Sequence, residues 1–401
     1  MLVGRARRRR HGAAAHHSHR NFDCGDCRER TLTDMGYVSA RGGLDAIHAA
    51  ERLVRRLRLV SDSNWLEEEQ ILDKMRLLVD RVMSEAGLWD PRLAAAAIRQ
   101  SEGDVTEAVH LLRAYRSTLP RFAYSEPSDA DDVRVRRRIV PAFQRVPGDQ
   151  LLGRSVDYTA RFLERQPDDI AREEAEKLRA SHSAQVDAAR TDDTDDARSP
   201  RRLMELLREM DMLVDRRRDG DPEPFDITRV PARPPAARSA LLSSMSRADT
   251  GALVNQWYRN ILGPDGYLHE VTLGEVRHGD MEVVVVHPAS GEEVSITDVR
   301  VTEVEAIEDL DEIGEDRTRF DVGYGLCFGH NERKAIAMAN LDIACHRDAG
   351  RTQLEQSLLL TTDALDSAGF LEHLKLPHYV TFRSMIERKI AVRKARRQHD
   401  A

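Results

Sequence analysis

Residues 271–306 read VTLGEVRHGDMEVVVVHPASGEEVSITDVRVTEVEA, and this stretch decides the fold class. Three runs in it are rich in β-branched residues, namely Val271–Val276, Met281–Val286 and Glu293–Val304. Turn-forming residues separate these runs, at His278-Gly279-Asp280 and at Pro288–Gly291. Because β-branched residues favour strands and Gly, Pro and Asp favour turns, the pattern predicts an antiparallel meander of three short strands.

Outside this stretch, helical periodicity dominates the sequence. Apolar residues recur at helical spacing up to Pro120, where Pro91 suits a first helical turn and Asp104 suits an N-cap. The same spacing returns at 333–347 and 354–372. The predicted class is therefore α+β, with a helical N-terminal half and a small antiparallel β-meander flanked by helices in the C-terminal half.

Composition divides the chain into four predicted regions. Residues 1–34 carry an arginine cluster without apolar periodicity, so we expect a disordered basic leader and a natural start at Met35. The other regions are a helical part at 35–165, an acidic linker or insertion at 166–200, and an α+β part at 201–401 that contains the meander 271–306 and the segment 369–380.

Charge and hydropathy exclude several classes of protein. The 401 residues include 61 Lys and Arg against 69 Asp and Glu, a net charge of −8 that disfavours a nucleic-acid-binding protein. A basic arm at 1–34 that touches nucleic acid is the alternative. No run approaches the roughly 20 apolar residues of a membrane span, and no apolar segment follows the arginine cluster as in a secretion signal. Four cysteines do not make a disulfide framework, so the sequence predicts a cytoplasmic protein.

Two histidines, His373 and His378, are the candidate metal ligands. Their separation lies within the spacing of zinc-binding histidines, but two imidazoles make only half of a tetrahedral site. The remaining ligands would come from elsewhere, for instance from another chain. On spacing alone, ordinary surface or helix-capping histidines are the alternative interpretation.

A loop that contains glycines and precedes a helix is the candidate phosphate site. Gly325 and Gly329 come before an apolar helix, where backbone amides and the helix dipole can stabilise an anion, and Arg333 and Lys334 add positive charge. The spacing matches neither a Walker A motif nor a dinucleotide-binding fingerprint. A strand-to-helix turn that needs glycine torsions is the alternative interpretation.

Eight segments, in order along the chain, resemble the landmarks of one protein family. They are Tyr37–Ile47 (YVSARGGLDAI), Val79–Glu85 (VDRVMSE), Leu111–Arg116 (LLRAYR), Ser125-Glu126-Pro127, Pro147–Gly153 (PGDQLLG), Asp226–Arg229 (DITR), the Gly323–Lys334 loop and Gly369–Val380 (GFLEHLKLPHYV). On these residues the chain resembles the PhnI family, subunits of the carbon–phosphorus lyase core complex of bacterial phosphonate degradation. The leader and residues 166–200 depart from the family pattern.

This resemblance implies an enzyme subunit that acts on nucleotides. PhnI-like subunits, with PhnG-, PhnH- and PhnL-like partners, replace the purine of ATP or GTP by an alkylphosphonate at the ribose anomeric carbon, which gives a ribose 1-alkylphosphonate 5-triphosphate. Alone, such a subunit is expected to release free purine as a nucleosidase. The expected partners are a second copy of the chain in a homodimer, PhnG-, PhnH- and PhnJ-like subunits, and PhnK- and PhnL-like ATP-binding-cassette proteins, without membrane or nucleic acid.

The resemblance also implies a role for the two histidines. His373 and His378 match the family's histidines that bind zinc at the interface with the PhnJ-like subunit, and magnesium is expected with the triphosphate. The candidates for a carboxylate that stabilises an oxocarbenium-like transition state are Asp80, Glu85, Glu126 and Asp157. Nothing in the sequence ranks them, so the catalytic residue is left unassigned. The rival interpretation is a non-catalytic dimeric scaffold that contributes half of an interface zinc site.

Overall fold

The structure is a computed structural model that describes most of the chain. The described residues are 43–145, 148, 150–189, 201–214, 223–262, 271–310, 315–347, 352–376 and 378–400. The predicted basic leader 1–34 and residues 190–200 of the predicted linker lie outside the described residues. Within the described ranges, no helix is both long enough and apolar enough to span a membrane.

The described residues fall into two compact units. The helices are α1 (Gly43–Leu59), α2 (Glu68–Lys74), α3 (Arg76–Ala86), α4 (Pro91–Gln100), α5 (Val105–Ser117), α6 (Asp168–Ala189), α7 (Leu203–Glu209), α8 (Arg238–Arg247), α9 (Thr250–Leu262), α10 (Glu332–Arg347), α11 (Thr352–Thr361), α12 (Ala364–His373) and α13 (Tyr379–His399). The strands are β1 (Arg134–Ile139), β2 (Val271–Val286), β3 (Glu293–Asp309) and β4 (Phe320–Phe328). The smaller unit contains α1 and α13, and the larger unit contains all the elements between them.

Helices α2 to α5 form the helical N-terminal part of the larger unit. The Asp90 side chain accepts a hydrogen bond from the first turn of α4, and Asp104 accepts one from the backbone N–H of Glu107 at 2.9 Å in α5. Gly87 ends α3 with a φ of 62°. The apolar faces of these helices bury one core, which includes Ile71, Val82, Met83, Ala94, Ala95, Ile98, Ala108 and Leu112. The prediction of a helical N-terminal part is therefore confirmed.

The strands form one antiparallel sheet, in the order β1–β2–β3–β4 within the described ranges. The α+β class is confirmed, but the division of the meander into three short strands is wrong. Strand β2 continues without a break through His278-Gly279-Asp280, the predicted turn. A Cβ atom at Gly279 would lie 2.3 Å from the carbonyl oxygen of Arg134, so this glycine allows β1 to approach β2 rather than turning the chain.

Strand β1 is rich in arginine, and the pattern of its sequence did not predict a strand. Its pairing with β2 contains a bulge, because Val135 pairs with Gly279 and Arg137 pairs with His278. Arg136 is therefore an additional residue in β1. A bulge of this kind changes the direction in which neighbouring side chains project.

The two faces of the sheet are buried by different kinds of residues. On one face, Val276, Val304 and Ala306 belong to a core that also contains the apolar residues of α10. On the opposite face, Arg138 in β1 donates from Nε to Oε1 of Glu275 in β2 at 2.7 Å, and both side chains are fully buried. Because a buried charge is tolerated only with a partner, this ion pair holds β1 against β2.

Candidate functional site

A cavity of about 150 Å³ opens in the larger unit and is lined by cationic and imidazole side chains. The lining residues are Arg76, Arg136, Arg137, Arg154, His278, Arg300 and His330. They come from the start of α3, from β1, β2 and β3, from the loop before α10 and from the chain after β1. Guanidinium groups match the geometry of phosphate and carboxylate oxygens, so this lining is typical of an anion-binding site.

The bulge in β1 supplies two of the arginines. Consecutive side chains in a regular strand point to opposite faces, so Arg136 and Arg137 would be separated in an unbulged β1. The additional residue in the bulge allows both side chains to line the cavity. Arg138 then lies on the other face of the sheet, where it pairs with Glu275.

Arg137 forms a fixed part of the cavity wall. Its side chain is only 5% exposed, and its guanidinium donates to Glu332, to the carbonyl oxygen of Leu152 and, at 3.0 Å, to Oδ2 of Asp157. These bonds tie together β1, the start of α10 and the segment after β1. Arg137 therefore shapes the cavity while most of its own donors are used within the chain.

Asp80 in α3 is a buried carboxylate that positions two other arginines. Its Oδ2 lies 3.6 Å from Nη1 of Arg76, and its Oδ1 lies 3.4 Å from Nη1 of Arg300. Oδ2 also accepts a hydrogen bond from the backbone N–H of His330 at 3.0 Å. Because Asp80 is only 2% exposed, it acts on the cavity through the residues that it holds.

Gly329 makes the approach of Asp80 possible. Its φ is 71°, in the left-handed region that favours glycine, and a Cβ atom there would lie 2.4 Å from the Cβ of Asp80. A side chain at this position would push the loop away from α3. The glycine thus fixes His330, the next residue, at the cavity.

The two histidines of the cavity stack on each other, with ring centroids 4.2 Å apart and planes at 22°. The hydroxyl of Thr302 donates its single hydrogen to the carbonyl oxygen of Gly329 at 2.6 Å. Nδ1 of His278, which lies 3.2 Å from Oγ1 of Thr302, must therefore be the donor in that contact. His278 carries its hydrogen on Nδ1, and its Nε2 carries the lone pair.

His330 has the opposite hydrogen-bonding arrangement. Its Nδ1 lies 3.2 Å from Nη1 of Arg76, and since an arginine can only donate, this Nδ1 accepts. The Nε2 of His330 lies 3.6 Å from Oε1 of Glu332 at the start of α10. Polar groups on both sides therefore orient the pair of rings.

Burial and nearby positive charge keep His278 uncharged. Burial, then His330 and Arg300, lower the pKa of His278 to about 3. A proton on this imidazole would lie in a desolvated site among arginines, which is unfavourable. At neutral pH, His278 therefore contributes hydrogen bonding and shape to the cavity, and the arginines contribute the charge.

This depressed pKa predicts a loss of stability in acid. The folded pKa of His278 lies below its unfolded value of about 6.5, so its contribution is complete above that pH and is lost as the pH falls. We expect His278→Gln to remove about 2 kcal/mol of the fall in unfolding free energy between about pH 7 and pH 5, measured by urea titration. His48→Gln, on the exposed α1, is the control. An unchanged pH dependence in His278→Gln would contradict the assignment.

The arginines of the cavity also repel one another. Burial first, and then the charge of Arg154, lower the pKa of Arg76, and Arg300 acts in the same direction. Cations held this close in a partly desolvated site favour the binding of an anion that screens them. The arrangement suits a phosphoryl or other multiply charged oxoanion.

The structure places the residues predicted for phosphate binding outside the lining of the cavity. These residues are Gly325, Gly329, Arg333 and Lys334, and none of the four lines the cavity. Lys334 is fully buried in α10, burial lowers its pKa, and its Nζ donates to Oγ of Ser84 at 3.1 Å. Arg333 is exposed. Phosphate binding by these residues stays a prediction, whereas the cavity offers a second set of cations beside the same loop.

Gly325 allows strand β4 to pack closely against helix α10. A Cβ atom at this position in β4 would lie 2.2 Å from the carbonyl oxygen of Ala335 in α10. We expect Gly325→Ala to lower the free energy of unfolding by about 1–3 kcal/mol, because the strand and helix must separate. Gly369→Ala, in α12 with no atom within 4 Å of the new Cβ, should leave stability unchanged or raise it by up to about 1 kcal/mol. Equal urea midpoints for the two variants would contradict this packing role.

The predicted zinc ligands lie at the ends of two helices. His373 is the last residue of α12 in the larger unit, and His378 precedes α13 in the smaller unit, while Pro377 lies outside the described residues. Nδ1 of His378 lies 2.5 Å from the carbonyl oxygen of Leu376 and donates to it. Within the described part of the chain, no three His, Cys, Asp or Glu side chains cluster as a metal site would require. Zinc binding stays a prediction.

The structure brings two of the four candidate carboxylates to the cavity. Asp80 and Asp157 each contact arginines that line it. Glu85 is buried and accepts from the backbone N–H of Thr250 at 3.0 Å, and the backbone of Glu126 is bonded to β2. Neither Glu85 nor Glu126 contacts a lining residue among the interactions of the described part of the chain.

The fold and the cavity together define a class: an α+β protein with an anion site built from arginines and stacked histidines. Comparison with known proteins then gives the family. Residues 36–399 match the family model described as bacterial phosphonate metabolism protein (PhnI). The chain belongs to the PhnI family, which confirms the resemblance inferred from the sequence.

Individual relatives match over nearly their whole length. The chain is 41% identical over 362 residues to HtxH of Stutzerimonas stutzeri, a match that covers 88% of this chain and 95% of the relative. The alpha-D-ribose 1-methylphosphonate 5-triphosphate synthase subunit PhnI of Rhizobium meliloti (strain 1021) is 36% identical over 378 residues, covering 91% and 96%. The protein of the same name in Escherichia coli (strain K12) is 38% identical over 358 residues, covering 88% and 96%.

Proposed function

We propose that the protein is a subunit of a carbon–phosphorus lyase complex in phosphonate metabolism and that it acts on nucleoside triphosphates. Two relatives bear the name alpha-D-ribose 1-methylphosphonate 5-triphosphate synthase subunit. By the corresponding reaction, this chain and its partners replace the purine of ATP or GTP by an alkylphosphonate at C1′ of the ribose. When the chain acts alone, it releases the purine as a nucleosidase.

The observation that carries this proposal is the cavity lined by five arginines and two histidines. Both proposed substrates are phosphoryl anions, and guanidinium groups bind such anions through paired N–H donors. Magnesium accompanies the triphosphate in this proposal, as it does with most bound nucleotides. A cavity of this charge is a better match to these substrates than to a neutral or cationic ligand.

The proposed exchange is a displacement at the anomeric carbon. A phosphonate oxygen forms a bond to C1′, the bond from C1′ to the purine nitrogen breaks, and the purine leaves with the electron pair and takes up a proton. Positive charge develops on the sugar in the transition state, where a carboxylate stabilises it. Asp157 contacts Arg137 in the cavity wall and is 29% exposed, so it is the candidate carboxylate that a substrate can reach.

The proposed assembly contains a second copy of this chain, PhnG-, PhnH- and PhnJ-like subunits, and PhnK- and PhnL-like ATP-binding-cassette proteins. Helix α1 supports binding to other chains, because none of its residues is buried. Leu53, Val54 and Leu57 on this helix are each more than half exposed. Groups of exposed apolar side chains mark protein–protein contacts.

The same exposed helix favours a second candidate function, a non-catalytic dimeric scaffold of the complex that contributes half of an interface zinc site. A scaffold needs contact surfaces but no substrate cavity. The two candidates differ in one observable property, since only the enzyme subunit releases purine from a nucleoside triphosphate.

We also propose that His373 and His378 bind zinc together with ligands from a partner subunit. The donor set fits, because imidazole nitrogens are common zinc ligands, and metal-binding histidines commonly donate from the other ring nitrogen to a backbone carbonyl, as Nδ1 of His378 does here. Two histidines from this chain leave room for ligands from a partner subunit or from solvent. Zinc bound there would supply a Lewis acid or a structural link.

Loss of bound zinc tests this assignment. We expect the His373→Ala, His378→Ala double variant, purified with its partners, to lose the metal, because a site without these imidazoles retains at most half of its ligands. Elemental analysis of the intact complex gives the result, and a His48→Ala variant is the control. Full metal content in the double variant would show that zinc binds elsewhere.

Purine release tests the proposed function itself. The purified chain is incubated with ATP or GTP, alone and with its partners and methylphosphonate, and free purine is followed by chromatography. Release by the chain alone places the bond-breaking site in this subunit, and release only with the partners places it in a composite site. No release from the folded protein in the assembled complex would favour the scaffold.

A further inference from the structure

The charges around the cavity suit an anion that carries two negative charges. Four of the five lining arginines contact carboxylates, and these carboxylates are also four in number, namely Asp80, Asp157, Asp280 and Glu332. One of these carboxylates, Asp157, also pairs with Arg161, which does not line the cavity. One to two positive charges therefore remain without compensation from the described residues. A dianion balances this excess, whereas a whole triphosphate carries more negative charge than the cavity can neutralise.

Two arginines have donors available for such a ligand. Nε of Arg76 is buried and has no hydrogen-bond partner within the described part of the chain. Arg154, which is exposed, forms no hydrogen bond or ion pair with another described residue. A buried donor without a partner costs about 1–3 kcal/mol of stability, and a bound oxygen would supply the partner. Arg300 is only loosely paired, at 3.4 Å from Asp80 and 3.9 Å from Asp280.

The volume of the cavity also indicates a ligand of about the size of one phosphoryl group. About 150 Å³ accommodates roughly five water-sized groups. One tetrahedral phosphonate or phosphate group fills such a space. A purine nucleoside triphosphate cannot be enclosed in it, although the end of its phosphate chain can enter.

We infer that the cavity binds one phosphoryl dianion, held by Arg76, Arg154 and Arg300 against the stacked His278 and His330. This inference deepens the proposed function, on which it rests, by assigning the cavity to a single phosphoryl group. That group is the alkylphosphonate or the terminal phosphate of the nucleotide. The stacked imidazoles form a flat wall on one side, and the arginines supply the donors.

Calorimetric titration of the full chain tests the inference. The probes are methylphosphonate, inorganic phosphate and tripolyphosphate, none of which contains the glycosidic bond. We expect methylphosphonate or phosphate to bind the wild type with one site per chain in the millimolar range or tighter. Arg76→Gln and Arg154→Gln should each weaken this binding at least about tenfold, because each removes a charged donor. Arg92→Gln, an exposed arginine of α4 paired with Glu69, should bind as the wild type does.

Competition identifies the source of the phosphoryl group. If tripolyphosphate displaces methylphosphonate, the end of a nucleotide's phosphate chain can occupy the cavity as well; if both bind together, the cavity takes the phosphonate and the phosphate chain binds elsewhere. Either result supports a single-phosphoryl site. Absence of binding by methylphosphonate and phosphate, or equal binding by Arg154→Gln and Arg92→Gln, would overturn the inference. Arg154 is exposed, so its variant remains informative even if Arg76→Gln folds poorly.

This binding assay is independent of the reaction. If the wild type binds methylphosphonate through Arg76 and Arg154 but the complex releases no purine, the inference holds and the proposed function fails. If purine is released but neither arginine affects methylphosphonate binding, the proposed function holds and the inference fails.

Discussion

Replacing Glu275 with alanine is expected to lower the free energy of unfolding by about 3–5 kcal/mol, because the guanidinium of Arg138 would lose a buried counter-ion. Both side chains are fully buried, and Nε of Arg138 lies 2.7 Å from Oε1 of Glu275. Oε2 of Glu275 also accepts a hydrogen bond from the backbone N–H of Leu203 at 2.9 Å, which joins α7 to the sheet. Urea unfolding monitored by circular dichroism measures the change.

The control for this variant is Glu282→Ala, the same substitution at an exposed position of β2. Its effect should stay within about 0.5 kcal/mol. A similar loss of stability in both variants would contradict the role given to the buried pair. Because Glu275 holds Arg138, and Arg138 follows Arg136 and Arg137 in β1, the destabilised variant should also bind methylphosphonate more weakly.

Replacing Arg76 with glutamine is expected to lower kcat/KM in the assembled complex by about tenfold to a hundredfold, for whichever substrate, methylphosphonate or the nucleotide, supplies the phosphoryl group in the cavity. A hydrogen bond to a charged group contributes about 1.5–3 kcal/mol, which converts to this range of rates. Arg76 has the buried Nε without a described partner, and it also donates to His330 in the stacked pair. Both features connect its loss to the binding of the phosphoryl group.

The comparison variant for Arg76→Gln is Arg92→Gln, which removes an exposed arginine from α4. Purine release by the two variants, purified with the same partners, gives the rates. An effect through phosphoryl binding appears mainly in the KM for the substrate whose phosphoryl group occupies the cavity, whereas a general loss of folded protein lowers the apparent kcat and leaves KM unchanged. Equal kcat/KM values for the two variants would contradict a substrate-binding role for the cavity.

Local chemistry made the helical part of the fold predictable. Asp104 at the start of α5 and Pro91 in the first turn of α4 act as the sequence indicated, because capping depends on residues only three or four positions apart. The turn of the meander at Pro288–Gly291 was also correctly placed, since Gly291 has a φ of 73° between β2 and β3. These features depend on residues that lie only a few positions apart in the sequence.

Contacts between distant segments were not predictable in the same way. His278-Gly279-Asp280 has the composition of a turn, but Gly279 lies within β2 because β1, more than a hundred residues earlier, packs against its Cα. The arginine-rich β1 has no apolar alternation, and it becomes a strand only through its pairing with β2. A single sequence does not contain the pairing that decides either feature.

The residues that line the cavity were hard to predict for the same reason, because they come from distant segments of the chain. The loop that contains Gly329 was predictable from the sequence, and so were Asp80 and Asp157 as candidate carboxylates, which contact the lining arginines. Arg76, Arg154, His278, Arg300 and His330 were not assigned to a site. His330 lies in that same loop, whereas the other four lie in separate segments with no local motif. The one available signal was the concentration of arginine at 134–138, which the fold splits between the cavity and the opposite face of the sheet.

Phosphorus NMR of the complete reaction tests the central claim most directly. ATP or GTP is incubated with methylphosphonate and the complex assembled with this chain, and with the same partners without it. The predicted result is a new ribose-linked phosphonate resonance that grows in proportion to free purine and appears only when this chain is present. Purine release without incorporation of the phosphonate, or product formed equally well by the partners alone, would contradict a role for this subunit in the exchange at C1′.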